Sequence, residues 1–460
     1  MMTYAAVTVR TVVPGRANVH QVGRPAGASH LLGDLYAMVT PTGLRSAEFA
    51  AAPGHRQCED DQASVNQAGP KRGAERPSRA RAAFAAVSRA RDGRIVGMLT
   101  DRALNRALLD RQLLLDRSAT DPLTAIGRVA GLQAQSPNPP YLGLWSRLDR
   151  FALADLTELI ETRQVVRVAL MHGKVQLVAA RHAPGLRQVV QPALHDALLA
   201  THGERLRGVA LTEVAQVTRE LLEDLPRTIA DLGTELAARW PDVPVTSLTA
   251  AARTEVALVP VPPGGVWGAV GQPAWTTLSA WLGHPQPATS TVADLVEWYL
   301  SAYGPATLAD LRAWSGLPGL NEIVEDAGLR LVRLRGQEGA QLFDLPDATL
   351  PDEDEPAPVR YLAEFDNVLQ AHDDRARIMY DDDRKAIFAT PGVVPGVVLV
   401  DGFTQGTWKI TRSGQSAYLV VRPFAQIPTR DVHDLTEEGL RLLAFAAPDA
   451  STHDVRFNSR

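Results

Sequence analysis

Cysteine and lysine are nearly missing from this sequence. Cys58 is the one cysteine in 460 residues, which excludes an intramolecular disulfide and any cysteine-built zinc cage. The lack of a disulfide framework fits a reducing, cytoplasmic setting. Lysine occurs only at Lys71, Lys174, Lys385 and Lys409, so nearly all positive charge is arginine. Arginine is the better fork for phosphate. An excess of Arg and Ala also follows from a GC-rich coding sequence, so the bias alone carries no functional weight. No run of about 18 apolar residues occurs, which argues against a membrane-spanning helix. The first residues show no charged stretch followed by an apolar one, so no secretory signal is read there.

What remains is ordinary for a globular protein, with 45% hydrophobic and 22% charged residues. One domain per roughly 150 residues predicts about three domains. Net charge is −5, but it is unevenly spread. Residues 1–97 hold 13 Lys and Arg against 7 Asp and Glu; residues 98–460 hold 34 against 45, a net of −11. Such a total advertises no nucleic-acid partner.

Residues 1–97 show no sustained helical or strand period and are broken by Pro14, Pro25, Pro41, Pro53, Pro70 and Pro77. They read as a disordered basic arm, or as an upstream stretch translated from a start codon placed too early. Regular patterning begins at Met98. Thr100 or Asp101 caps a helix predicted to reach about Arg117, and Pro122 opens a second through about Ala134. A third helix is predicted over Leu153–Arg163. Val165–Ala180 reads as two strands turning at His172-Gly173-Lys174. Three helices closed by a hairpin is the winged-helix plan.

That plan recurs loosely at 208–283, with strands expected at Ala257–Pro262 and Val266–Gly268. It recurs more clearly at 289–345. Helices are expected there at Thr291–Ala302, Thr307–Trp314 and Leu320–Ala327, and strands at Leu329–Arg335 and Gln341–Leu345. A Pro- and acid-rich linker covers 346–358. From Val359 to Gln426 the signal is strand, Ala386–Ala389 included, and a helix at about Thr436–Phe445 closes the chain. The expected fold is α+β. Tandem winged-helix (helix-turn-helix) units occupy 98–205, 206–285 and 286–346, and a β-rich C-terminal module occupies 359–460.

The most unusual segment runs from Gly131 to Pro140 and contains Gln133-Ala134-Gln135. On a continuous helix the two glutamines would point roughly 200° apart. Pro137, Pro139 and Pro140 push the preceding residues out of the helical region. In extended geometry, residues two apart share a side, so two amides could converge on one spot. The plainer reading is a polar helix end capping its own carbonyls.

The chain resembles the winged-helix DNA glycosylase superfamily, in its AlkZ-like branch. The residues that carry the likeness are Leu132-Gln133-Ala134-Gln135-Ser136-Pro137 and Tyr141-Leu142-Gly143-Leu144-Trp145-Ser146-Arg147. Tyr303-Gly304-Pro305-Ala306-Thr307 with Asp310-Leu311 extends it. Tyr361-Leu362-Ala363-Glu364-Phe365-Asp366-Asn367 and His372-Asp373-Asp374-Arg375 complete it. The resemblance spans essentially all of 98–460 and implies removal of bulky N-alkylated purines from double-stranded DNA, with interstrand crosslinks among the candidate substrates. It maps the family's catalytic glutamine pair onto Gln133 and Gln135. Gln135 is expected to hold water and Gln133 to face the sugar or phosphate.

The first wing departs from the family's Met-Arg-Gly-Thr, apolar, His pattern. Here it reads Met171-His172-Gly173-Lys174-Val175-Gln176. Arg102, Arg106, Arg147, Arg167, His172, Lys174, Asp366 and Arg375 are the expected DNA-facing residues, although Asp366 and Arg375 could instead pair structurally. A lyase step would need an amine nucleophile. With so few lysines a monofunctional hydrolase is expected; Lys174, in the first wing, keeps the lyase alternative open. His372, Asp373, Asp374 and Asp381–Asp383 lack a recognised ligand spacing, so no metal is expected, and no organic cofactor. The chain is expected to act as a monomer away from membranes. Two competing readings are a non-enzymatic winged-helix transcriptional regulator and a weakened paralogue with an altered wing.

Overall fold

Thr100 accepts a hydrogen bond from the Ala103 amide at 3.0 Å and opens the first helix, α1, over Asp101–Arg111. This computed structural model describes residues 98–283, 290–326 and 329–458. The expected leader, 1–97, lies outside the described residues. Helix α1 stops short of Arg117 because Leu113 turns to φ 56° and Leu114 donates back to Leu109 O at 2.7 Å. Asp121 caps α2, Pro122–Arg128, through the Thr124 amide at 2.9 Å. Ala130 at φ 58° and Gly131 at φ 78° then reverse the chain. The helix expected through Ala134 therefore gives way to a short strand, β2, at Leu132–Gln133.

Pro139 and Pro140 begin α3, Pro139–Arg147, a helix the proline-rich sequence concealed. Helix α4, Leu153–Glu161, follows, and then the hairpin of β3, Val165–Ala169, and β4, Val175–Ala179. The three strands lie in the order β2-β4-β3. A long helix, α5 at Ala183–His202, was also not foreseen.

The middle unit contains α6 at Leu211–Asp224, α7 at Ile229–Arg239 and α8 at Val245–Glu255. Its small sheet pairs β5, Leu258–Pro260, with β6, Trp275–Thr277. The strand expected at Val266–Gly268 does not form. Gly265, Gly268 and Gly271 all hold positive φ, and Trp267 packs against Tyr141 at 5.5 Å and Phe445 at 6.0 Å.

After α9, Leu278–Leu282, the third unit follows the expected order. Helices α10 at Val292–Tyr303 and α11 at Leu308–Ser315 each begin with a reciprocal Thr–Asp capping box. Then come α12 at Leu320–Asp326 and the antiparallel strands β7, Val332–Gly336, and β8, Gln341–Asp344. A two-residue strand at Met98–Leu99, β1, adds to β7 in parallel. The start of the described chain is thus built into the sheet of the third unit.

The C-terminal module is a five-stranded sheet. Strands β9 at Arg360–Leu362, β10 at Gly396–Val400, β11 at Phe403–Ser413, β12 at Ser416–Pro423 and β13 at Thr452–Phe457 lie in the order β13-β12-β11-β10-β9. The segment expected as a strand at Ala386–Ala389 overlaps helix α13, Asp381–Ile387, whose three leading aspartates favour a helix N-terminus. Helix α14, Thr429–Ala446, covers the sheet.

One core runs through the first and third units and the C-terminal module, joining Leu108, Val166, Leu186, Tyr299, Leu311, Leu362 and Val397. The middle unit has its own core around Val214, Leu232 and Leu248. Two buried ion pairs stitch the shared core. Arg111 grips Asp344 through two contacts of 2.8 Å, and Arg147 grips Asp366 at 2.8 and 2.7 Å. The Arg147 and Asp366 side chains are 0% and 1% exposed, so removing one would strand a charge in the interior. Asp366→Ala is expected to cost about 3–5 kcal/mol, read as a lower urea midpoint. A loss under about 1 kcal/mol would contradict a structural role for the pair.

Candidate active site

The site begins with a carbonyl. Val129 O, at the end of α2, accepts from Gln112 Nε2 at 3.3 Å, Tyr303 OH at 3.2 Å and Asn367 Nδ2 at 3.4 Å. Asn367 Nδ2 also donates to Gly131 O. Three donors from distant parts of the chain therefore hold the reversal at Val129–Gly131. A Cβ on Gly131 would stand 2.8 Å from Val178 Cγ1 and 3.0 Å from Leu177 O. Space and φ together demand glycine there.

Past the reversal the chain runs along β4. Leu132 faces Leu177, Gln133 faces Gln176, and the Ala134 amide donates to Val175 O at 2.8 Å. Ala134 is fully buried, and its carbonyl accepts from Arg167 Nε at 3.0 Å and from Arg167 Nη2. With Ala134 turned inward, its two neighbours share the opposite face. Gln135 Nε2 donates to Gln133 Oε1 at 2.7 Å, so the amides meet. Gln135 Oε1 is buried without a partner.

Gln133 opens onto a small cavity of about 30 Å³. Gln176, His172, Lys174, Asn367 and Gln370 contribute polar groups to it, and Trp314 and Tyr303 form part of its wall. Among the described residues neither Asp nor Glu lines it. Lys174 Nζ donates to Gln370 Oε1 at 2.9 Å. Burial, with the nearby Arg375 cation adding to it, pushes the Lys174 ammonium down to about 8. His172 Nε2 donates to Ala313 O at 2.9 Å, and burial holds its pKa below the usual value, so the ring is neutral at pH 7. Gln176 Oε1 and Gln370 Nε2 are buried without partners. Such groups are costly to leave bare, and three of them close to one hairpin mark a surface shaped for a polar ligand.

Of the residues expected to meet DNA, His172 and Lys174 line this cavity with Gln133. Arg375 approaches from the C-terminal module, its guanidinium 4.5 Å above the Phe388 ring. Arg167 is buried against the glutamine segment and pairs with no carboxylate among the described residues; burial pushes its pKa down to about 10. The other arginines have different work. Arg147 lies inside, paired with Asp366. Arg106 is also inside, donating to Asp401 Oδ1 at 2.6 Å and Glu355 O at 2.6 Å. Arg102 is half-buried and chelates the same Asp401. That corrects the surface placement expected for Arg106 and Arg147, and gives Asp366 the structural pairing that was its alternative. Each sits on an internal face of its element, where an isolated charge finds its partner.

Gln370 was missed, and nothing in its sequence surroundings distinguished it. Gln176 was noted only as a departure from a pattern, although its two-residue spacing from Lys174 signals a shared strand face. His372 is buried, its Nε2 donating to Tyr303 O at 3.0 Å, and burial pushes its pKa down to about 3. Among the described residues no group of three or more His, Cys, Asp or Glu could hold a metal ion. None of their helices is long and apolar enough to cross a membrane.

A family model described as DNA glycosylase AlkZ-like matches residues 126–445, which includes the glutamine segment and the whole cavity lining. The chain belongs to the AlkZ-like DNA glycosylase family. An interstrand DNA cross-link repair glycosylase of Streptomyces sahachiroi is 26% identical over 353 residues, covering 69% of this chain and 88% of the relative. The solved structure of Streptomyces sahachiroi DNA glycosylase AlkZ superposes with a TM-score of 0.65 at 20% identity. It covers 79% of this chain and 100% of that one. The likeness establishes a shared fold.

In this AlkZ-like chain the reversal at Gly131 is predicted to be intolerant. Gly131→Ala is expected to lose about 1–3 kcal/mol from backbone strain alone, with the close contacts adding to it. Gly268 also has positive φ, but a Cβ there meets nothing within 4 Å. Gly268→Ala should therefore cost less. Thermal unfolding of the two variants side by side checks this; equal losses would contradict it.

Proposed function

We propose that this AlkZ-like glycosylase releases N7-alkylated guanines from double-stranded DNA by hydrolysis, and that crosslinked guanines are among its substrates. The carrying observation is the joined amide pair, with Gln135 Oε1 left buried and unpartnered. A guanine alkylated at N7 is already cationic. Its C1′–N9 electron pair can leave with the base, neutralising the imidazolium ring and making the sugar oxocarbenium-like. Little acid catalysis is then needed. What remains is to stabilise a cationic sugar and to direct water at C1′.

An amide is too weak a base to take a proton in the ground state, but its carbonyl is a fixed dipole and a good acceptor. Gln135 Oε1 would hold the attacking water. Gln133, with its own oxygen engaged by Gln135, would face the sugar. Preorganised groups of this kind act through electrostatics rather than proton transfer. Arg167, holding Ala134 O, keeps the Gln-Ala-Gln backbone in place, so it is a positioning residue. Lys174 and Arg375 supply positive charge for phosphate at the cavity, beside the neutral His172 ring.

The family assignment and the 26%-identical relative, an interstrand DNA cross-link repair glycosylase, support this reading over a non-enzymatic regulator. We place the activity on cytoplasmic DNA and in a monomer. Replacing both Gln133 and Gln135 with Ala is expected to lower release of N7-methylguanine by about 10²-fold or more, as loss of aimed groups does elsewhere. The released base is measured directly by chromatography. Wild-type rates in the double variant would overturn the assignment of the pair.

A further inference from the structure

The lysine at the tip of the first wing stands on the same face as the glutamine pair. Gln133 faces Gln176 across β2 and β4, and the Ala134 amide continues that ladder to Val175 O. Carried one residue further, the antiparallel register sets Lys174 opposite Gln135. Residues 174 and 176, two apart in extended chain, point the same way, as do 133 and 135. Lys174 and Gln133 line one cavity, and Lys174 Nζ is held there by Gln370 Oε1 at 2.9 Å. Among the described residues nothing acidic lines the cavity to fix the lysine as a permanent cation. Lys174 is also the one lysine of the described residues in this region; Lys385 and Lys409 lie on α13 and β11.

We propose that Lys174 is a nucleophile that gives this protein a second activity, cleavage of the DNA strand at the abasic site. The proposal rests on the glutamine pair acting at C1′, since base release then leaves C1′ at the mouth of this cavity. The ring-opened abasic sugar carries an aldehyde at C1′. Nζ adds to that carbon, water leaves, and a protonated imine forms. The imine acidifies C2′, whose proton passes to solvent water. The electron pair left behind forms the C2′–C3′ double bond as the C3′–O bond breaks, so the 3′ phosphate departs with its bonding electrons. Water then hydrolyses the imine, returning the Lys174 amine and leaving an unsaturated aldehyde on the 5′ fragment. No oxidant, reductant or metal is needed.

Desolvation favours this use of the side chain. At pH 8 about half of the Lys174 population is free amine, given its lowered pKa of about 8. An ordinary lysine near 10.4 would be well under about 1% free amine.

The test uses the full-length chain and a duplex carrying one preformed abasic site, with sodium borohydride to reduce the imine. A covalent protein–DNA adduct is expected, mapping by mass spectrometry to the Lys174 peptide. Without borohydride, nicking should rise with pH through about 8. Lys174→Arg keeps a cation but forms no imine, so its adduct should vanish, with gel retardation of the same duplex verifying that the variant still binds DNA. No wild-type adduct, or an adduct mapped to Lys71, Lys385, Lys409 or the N-terminus, would overturn the proposal. Because the abasic site is preformed, base release is scored separately on N7-methylguanine DNA. Release without an adduct refutes the lyase step alone. An adduct at Lys174 without release supports the lyase step and counts against the proposed substrate.

Discussion

Two adjacent side chains, Asp366 and Asn367, hold both ends of the segment that carries the glutamines. Asn367 takes hold of the backbone at Val129 and Gly131, just before Gln133. Asp366 takes hold of Arg147, at the end of the helix that follows the prolines. Between these two anchors lie Gln133, Gln135 and the whole proline run. The dipeptide sits on a short turn after β9, in the C-terminal module. The module remote in sequence is therefore what sets the site of the first unit. Gln112 and Tyr303 join the same carbonyl from α1 and α10, so the clamp draws on every part of the shared core.

The clamp also reconciles an acidic chain with a DNA substrate. Many of the arginines are consumed internally, where they meet Asp344, Asp366 and Asp401. Positive charge comes from Lys174 in the cavity lining, from Arg375 close enough to act on it, and from Arg167 behind the glutamine segment, and no carboxylate among the described residues lines the cavity. Local field, not net charge, governs what a cleft attracts. In the proposed reaction the same scarcity of carboxylates leaves the work to amides. The cationic leaving group proposed there needs no acid, and an oriented dipole would stand where a carboxylate would otherwise face C1′.

Much of this was legible in the residues. The prolines at 137, 139 and 140 place the helix end near the glutamines, and a period of two lets their amides meet, although the residues alone favour a plain helix end through about Ala134. The helices starting at Thr291 and Thr307 and the polar turn at His172–Lys174 are legible from pattern alone, and they mark the third unit and the hairpin of β3 and β4. The internal fate of Arg106 and Arg147 was not legible. An arginine's partner is set by tertiary packing, and Asp401 and Asp366 lie hundreds of residues away. Helix α3 was hidden because proline at a first helical turn looks like proline in a loop. The strand at Met98–Leu99 was hidden because its partner, β7, is some 230 residues downstream. Gln370 carries no local pattern at all; only the fold brings it to Lys174.

The central claim is that the paired amides stand against the sugar carbon at which the base is lost. A duplex containing a cationic azasugar in place of the damaged nucleotide mimics the oxocarbenium-like state and should bind more tightly than the intact duplex. The crystal structure of that complex tests the claim most directly. The account predicts the azasugar nitrogen within hydrogen-bonding distance of a water held by Gln135 Oε1, with Gln133 against the sugar. An azasugar bound away from Gln133 and Gln135, with the amide pair facing no part of the DNA, would contradict it.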